Sequence, residues 1–503
     1  MLGYPRTEEP ANYHPEQQAP QYGQANIGLA YGGQQSQNQS VDSYSRQSSA
    51  NWGANPAGIT DVKPYNLDIS VTPAAVTYPD SAEQVAGIVA CAAQYDHKVQ
   101  ARSGGHSYGN YCLGGANSSA IVVDMKKFQH FSMDNSTWTA TIGAGTLLED
   151  VTDRLHDAGG RTIAHGTSPQ IGIGGHATIG GLGPQSRTLG TTADQVVGLT
   201  VVLANSSIVR CTATSHADLF FAVRGAGASY GIVTDLDFRT APEPGSMVLY
   251  EYNITVGDKG ANAAAFKAWN ALVTRADLSW RFTSVLTLFD GGMVVSGTYF
   301  GGRPEFDALN LRGVLPADIA AVNVSVTSEF VGAVGTWAEE AALQVGGGIP
   351  AAFYSKSLSF SRETALTDDA VDALFDYLDA ADTGGALAWF AIFNLVGGQI
   401  NEVPLADAAY SLRDSLYQLQ SYAISLTPPV SKETKAFLDG INAVIEKHVP
   451  GVRGAYPGYV DPALLDAQEQ YWGANLPRLE RIKAEVDPTD LFHNPQSVKP
   501  AAM

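Results

Sequence analysis

The spacing of hydrophobic and polar positions changes several times along this chain, and each change marks an expected element. Residues 1–55 mix Gln, Ser, Asn, Gly, Tyr and Pro with no apolar period. Such a segment cannot bury enough surface to offset chain entropy, so it is expected to be disordered. A folded pattern begins at Pro64. Residues 71–78 read as extended. Asp80-Ser-Ala-Glu83 reads as a helix start, with Ser81 or Asp80 as the cap before the apolar run from Val85. Residues 98–101, 120–125 and 139–143 read as strands. Residues 147–158 read as a helix with Glu149 and Asp150 in its first turn, where the helix dipole favours acids. Residues 195–204 and 207–210 form an expected hairpin around Asn205-Ser206. A Pro/Gly-rich boundary follows at 239–245. Beyond it, strands expected at 247–255, 282–287, 292–300 and 320–330 alternate with helices at 262–274, 368–379 and 432–447, as in a sheet backed by helices.

A length of 503 residues allows two or three domains with a large buried core. Lys and Arg total 30 against 50 Asp and Glu, a net charge of −20, which argues against nucleic acid or an anionic membrane as partner. No apolar run reaches the roughly 18 residues that a membrane span needs. Only 16% of residues are charged while Gly numbers 52, a profile that suits a loop-rich enzyme. Cys91, Cys112 and Cys211 show neither metal-ligand spacing nor C-x-x-C. His106, His165 and His176 also lack ligand spacing, so no metal is expected.

The chemistry concentrates in glycine-rich strings. In Arg102-Ser-Gly-Gly-His-Ser107, two adjacent glycines let the backbone approach something flat or anionic, and turning N–H groups can cradle phosphate. Gly166-Thr-Ser-Pro-Gln-Ile-Gly-Ile-Gly-Gly-His-Ala-Thr-Ile-Gly-Gly-Leu-Gly183 follows, then Asp218-Leu-Phe-Phe-Ala-Val-Arg-Gly-Ala-Gly-Ala-Ser-Tyr-Gly-Ile-Val-Thr234. Near the C-terminus come Tyr471-Trp-Gly-Ala-Asn and Asp487-Pro-Thr-Asp-Leu-Phe-His-Asn-Pro-Gln496. None is a Rossmann fingerprint. Gly172-x-Gly174 has Ala177 in third place with no suitably placed ribose-binding acid, so NAD is not expected.

In this order and spacing the segments resemble the FAD-linked oxidases of the vanillyl-alcohol-oxidase (PCMH-type) superfamily. The closest resemblance is to the berberine-bridge-enzyme-like branch that includes fungal glucooligosaccharide oxidases, and it runs from about residue 60 to the end. It implies an α+β fold: a two-part FAD-binding domain (60–245 and 452–503) with an inserted substrate domain (246–451). It also implies a flavin bonded covalently through His106. Arg102, Ser103, Gly104, Gly105 and Ser107 would then surround the pyrophosphate, while Gly172, Gly174, Gly175, Gly180 and Gly181 allow close backbone passage. Ile232, Val233, Asn494 and His176 are further candidate contacts. Many relatives place a second flavin-linking cysteine where this chain has Ser168. A serine alkoxide is far less available than a thiolate near neutral pH, so one link is expected.

In glucooligosaccharide oxidases a tyrosine in Y-x-N-Y-x-D-P serves as base. The matching segment is Tyr456-Pro-Gly-Tyr-Val-Asp-Pro462, which puts Tyr459 on the base and Tyr456 beside it. Such a tyrosine needs its pKa lowered to work near pH 7. Asn394 falls where an assisting carboxylate would stand, Gln420 falls on a substrate-facing position, and Ile392 replaces a glutamine. The resemblance implies oxidation of the reducing-end C1 hydroxyl of an oligosaccharide to a lactone, with electrons passing to O₂ or another acceptor. Oxidation of a small alcohol or ring in secondary metabolism is the alternative, and a non-catalytic flavin- or sugar-binding protein the third reading. Relatives often pair an N-terminal cysteine with the match of Cys91. None precedes it here, so Cys91 is expected as a buried thiol, with a Cys91–Cys112 bridge left open. The resemblance also implies secretion, which six N-x-S/T sequons would suit; residues 1–51 lack a basic start followed by an apolar core, so an intracellular site is the alternative.

Overall fold

A computed structural model describes residues 55–56, 61–116, 118–254, 258–315, 321–345, 349–452 and 454–502. Apart from Asn55, the segment expected to be disordered lies outside the described residues. Strands Ala75–Thr77, Ile121–Asp124 and Val99–Arg102 run parallel, with Asn55–Pro56 antiparallel on one edge. Helix Ala82–Gln94 is capped by Ser81, whose side chain accepts from the Gln84 N–H at 3.3 Å. It buries Val85, Ile88, Val89 and Ala92, the i, i+3, i+4, i+7 stripe of an amphipathic helix. Cys91 lies off that stripe and is exposed, which corrects the expected buried thiol. Cys91, Cys112 and Cys211 are all free.

A second, antiparallel sheet follows in the order Phe131–Asp134, Thr139–Gly143, Ile232–Arg239, Val196–Val202, Ile208–Thr212. Helices Leu148–Asp157 and Ala217–Ala226 share its core. The C-terminal stretch packs into that same core through Ala455, Tyr471, Trp472, Leu479 and Val498.

The largest sheet has seven antiparallel strands in the order Ala321–Thr327, Met247–Ile254, Gly292–Tyr299, Val285–Phe289, Ala388–Leu395, Ser415–Ser425, Ala352–Ser361. Residues alternate between its faces, as the pleat requires. Val248, Tyr250 and Tyr252 share a core with residues of helices Lys259–Val273, Asp368–Ala380 and Lys432–His448. Met247 instead meets Trp337 of helix Phe330–Val345.

Two expectations need correction here. The strand expected at 282–287 lies three residues on, because Phe282 makes only an isolated bridge to Tyr299 before the ladder starts at Val285. The strand expected at 320–330 ends at Thr327, and Phe330 opens a helix. Its Val- and Gly-rich start has weak helix propensity, but Phe330, Ala333 and Trp337 fall on one helical face and bury together, so packing decides.

Candidate active site

The sheets meet around a cavity of about 370 Å³. One half of its wall is backbone. After strand Val99–Arg102 the chain turns through Ser103–Ser107, with Gly105 in the left-handed region at φ +81°. A Cβ on Gly104 would strike the Gln170 carbonyl and the Gly172 amide, so the two glycine-rich strings touch main chain to main chain. The hydroxyls near them serve the fold. Ser103 Oγ donates to the Ala144 carbonyl at 2.6 Å, and Ser107 Oγ accepts from the Tyr111 N–H at 2.9 Å. His176 Nε2 accepts from the Gly166 N–H at 3.0 Å, and burial pushes the imidazole down to about 3, so it stays neutral and pins the second string.

The other half is side chain on a rigid sheet. In the ladder between Ala388–Leu395 and Ser415–Ser425, Ile392 stands opposite Gln420 and Asn394 opposite Gln418. Ile392, Asn394 and Gln420 all line the cavity, and Gln420 Nε2 donates to the Tyr108 hydroxyl at 2.7 Å. Tyr459 closes a turn by donating its N–H to the Tyr456 carbonyl at 2.9 Å. The two rings pack edge to face, 5.0 Å apart. Tyr456 is itself fixed, its hydroxyl accepting from the Gly181 N–H at 3.0 Å. Beyond it, Lys356 Nζ pairs with Asp461 at 2.8 Å and Ser355 Oγ donates to the Val460 carbonyl at 2.7 Å, so this turn is riveted to strand Ala352–Ser361. Tyr459 also stacks obliquely over Tyr108 at 6.4 Å.

His106 lines the cavity between the halves, and burial pushes its imidazole down to about 4. It is therefore neutral near pH 7, with one ring nitrogen carrying a free lone pair. Burial pushes the Tyr459 hydroxyl up to about 12, the opposite of the lowered value that a resident base needs.

Most of the expected site residues converge on this cavity: His106, Ser103, Gly104, Gly105, Ser107, Ser168, Gly172, Gly174, Gly175, His176, Val233, Asn494, Asn394, Gln420, Tyr456 and Tyr459. Four do not line it: Arg102, Gly180, Gly181 and Ile232. The parallel register sets Arg102 against Asp124, and the two pair at 3.4 Å behind the Gly105 turn. Gly180 makes room for the Tyr410 ring. Ile232 and Val233 are strand neighbours facing opposite ways, so only Val233 reaches the cavity while Ile232 enters the core. Sequence reasoning passed over Tyr65, Tyr108 and Tyr111. Tyr108, two residues after His106, could have been found from its place in the motif; Tyr65 gives no local signal.

The lining suits a flavin dinucleotide. Among the described residues it contains no Asp, Glu, Lys or Arg, so a diphosphate there would be held by backbone N–H and neutral polar donors rather than paired cations. A Cβ on Gly175 would meet nothing within 4 Å, leaving that wall open for a ligand to lie against the backbone. The buried Tyr111 hydroxyl, also on the lining, has no partner and is free to donate to a bound group.

A family model described as FAD binding domain matches residues 73–212, and one described as berberine and berberine like matches residues 455–499. The chain is 40% identical over 447 residues to the FAD-linked oxidoreductase sorD of Penicillium rubens, covering 88% of this chain and 93% of that one. Among solved structures, the xylooligosaccharide oxidase of Myceliophthora thermophila in complex with xylobiose is 31% identical with a TM-score of 0.81, covering 88% of this chain and 95% of that one. A glucooligosaccharide oxidase from Acremonium strictum, described as carrying 6-S-cysteinyl, 8α-N1-histidyl FAD, is 30% identical with a TM-score of 0.79, covering 88% and 94%.

Proposed function

Because the chain belongs to the berberine-bridge-enzyme-like family of FAD-linked oxidoreductases and acts on CH–OH groups with FAD, we propose that it oxidises the reducing-end C1 hydroxyl of an oligosaccharide to a lactone. The observation that carries this reading is the grouping of Tyr459, Asn394 and Gln420 with His106 around one cavity. Bound flavin would accept the hydride from the carbon, and O₂ or another acceptor would take the electrons afterwards. Tyr459 takes the hydroxyl proton. Its buried phenol must first ionise, so the rate of substrate oxidation climbs with pH through the alkaline range. The amides of Asn394 and Gln420 both donate and accept, which suits sugar hydroxyls, but Asn394 orients without taking up a proton. His106 holds the flavin covalently, and Ser168 leaves it with that single bond.

A second reading, a small alcohol or ring of a secondary metabolite, is favoured by Ile392, which puts a buried aliphatic side chain where the resemblance calls for a glutamine. The test is anaerobic mixing with reducing xylo-, gluco- and chito-oligosaccharides and with cyclic alcohols, following the flavin absorbance. Bleaching by a sugar supports the first reading, and bleaching by cyclic alcohols alone the second. A flavin left oxidised by every compound contradicts both.

A further inference from the structure

Tyr65 belongs to none of the motifs, yet its ring lies flat against the His106 imidazole, with centroids 4.5 Å apart and planes 26° from parallel. On its other sides it stacks with Tyr108 at 5.9 Å and meets the edge of Phe353 at 5.7 Å, leaving it 7% exposed. The backbone around it is tied in place. Asn110 Oδ1 accepts from the N–H groups of Tyr65 and Asn66 at 3.0 and 3.1 Å, while Asn110 Nδ2 donates to the Asn66 and Ile69 carbonyls at 2.8 and 3.0 Å. Asn66 Nδ2 in turn donates to the Tyr108 and Phe353 carbonyls, both at 3.0 Å. The segment that carries Tyr65, the loop that carries His106 and the edge strand of the large sheet are thus locked as one unit.

An imidazole on a glycine-flanked loop has two free side-chain torsions, and bond formation demands an orientation good to roughly 10–20°. We propose that Tyr65 is a positioning residue for flavin attachment: its ring covers one face of the His106 imidazole and sets the direction in which the ring nitrogen meets the flavin 8α-carbon. This rests on His106 being the attachment point. In that reaction an N–C bond forms, the 8α-methyl group gives up one hydrogen and the imidazole nitrogen gives up its proton. The two electrons and two protons released reduce O₂ to hydrogen peroxide. Stacking is the property required, so a benzene ring should replace the phenol and an aliphatic chain should not.

The experiment loads protein produced without flavin with FAD in air, stops samples in acid over time, and measures the flavin that stays with the precipitated protein. Tyr65→Phe should link at the wild-type rate. Tyr65→Leu and Tyr65→Met should bind FAD before acid treatment yet link at least tenfold more slowly. Linkage by either aliphatic variant within twofold of wild type overturns the proposal. So does slow linkage in Tyr65→Phe, which would assign the effect to the hydroxyl. Loss of FAD binding itself in both aliphatic variants also overturns it, because Tyr65 would then serve the fold. Wild-type protein that releases all its flavin into acid refutes covalent attachment instead, a separate failure.

Discussion

The two halves of the cavity recognise what they hold by different means. Apart from His106, the half built from 103–107, 166–175 and 225–231 presents mainly backbone, and the Ser103, Ser107 and His176 side chains bond within the fold. The half built from strands Ala388–Leu395 and Ser415–Ser425 and the Tyr456–Tyr459 turn presents side chains on a rigid frame. A backbone wall tolerates few replacements, since an added Cβ meets main chain, a packed side chain or the space of the cavity. A side-chain wall can be rewritten residue by residue without moving a strand. The first half suits a constant cofactor and the second a changeable substrate.

The largest effect should come from the backbone half. Gly104→Ala drives a Cβ into the Gln170 carbonyl and the Gly172 amide, so little flavin-loaded protein should be recovered, as measured by flavin per chain after purification. Tyr459→Phe keeps the ring packing against Tyr456 and Tyr108 but removes the proton acceptor. Flavin reduction under anaerobic rapid mixing should slow by about 10²–10⁴-fold, with flavin content unchanged. In wild type the same rate should rise with pH below about 12, and a flat alkaline profile would remove Tyr459 from the base role.

His176 gives a smaller effect on stability. Its folded value of about 3 lies below the unfolded value near 6.5, so the unfolded chain takes up a proton that the folded one refuses. The stability is complete above pH 6.5 and is lost as pH falls toward 3, with on the order of 3 kcal/mol gone by pH 4. Urea midpoints between pH 7 and 4 would show it. His176→Gln can accept the Gly166 N–H without titrating, so it should lose that part of the slope. The smallest effect belongs to the side-chain half: Ile392→Gln should shift relative KM values between sugars and cyclic alcohols by roughly tenfold, about the worth of one or two hydrogen bonds.

The same contrast explains what could be read from the sequence. Gly104, Gly105, Gly172 and Gly175 were legible because close backbone approach demands glycine, a constraint written in the residue type itself. Tyr459 and Gln420 were legible only by resemblance, since a tyrosine or glutamine on a strand is commonplace until its neighbours are known. Tyr65 was not legible at all: its partner His106 is distant in sequence, and the stack depends on Asn66 and Asn110 folding two segments together. Arg102 lies off the cavity for a related reason. A cation beside a phosphate-type turn suggests an anion contact, whereas strand register gave it to Asp124. Helix Phe330–Val345 was missed because its Val- and Gly-rich start has poor propensity and burial decides.

The most direct test measures flavin content and the pattern of anaerobic bleaching across sugars and cyclic alcohols on the same two proteins, Gly175→Leu and Ile392→Gln. The Gly175 substitution points into open cavity. It should lower flavin content while the protein that retains flavin keeps the wild-type order of substrates. The Ile392 substitution should keep full flavin content and reorder the substrates. A Gly175→Leu protein that reorders substrates at full flavin content, or an Ile392→Gln protein that loses flavin with its substrate order intact, would contradict the division between a backbone-built cofactor half and a side-chain-built substrate half.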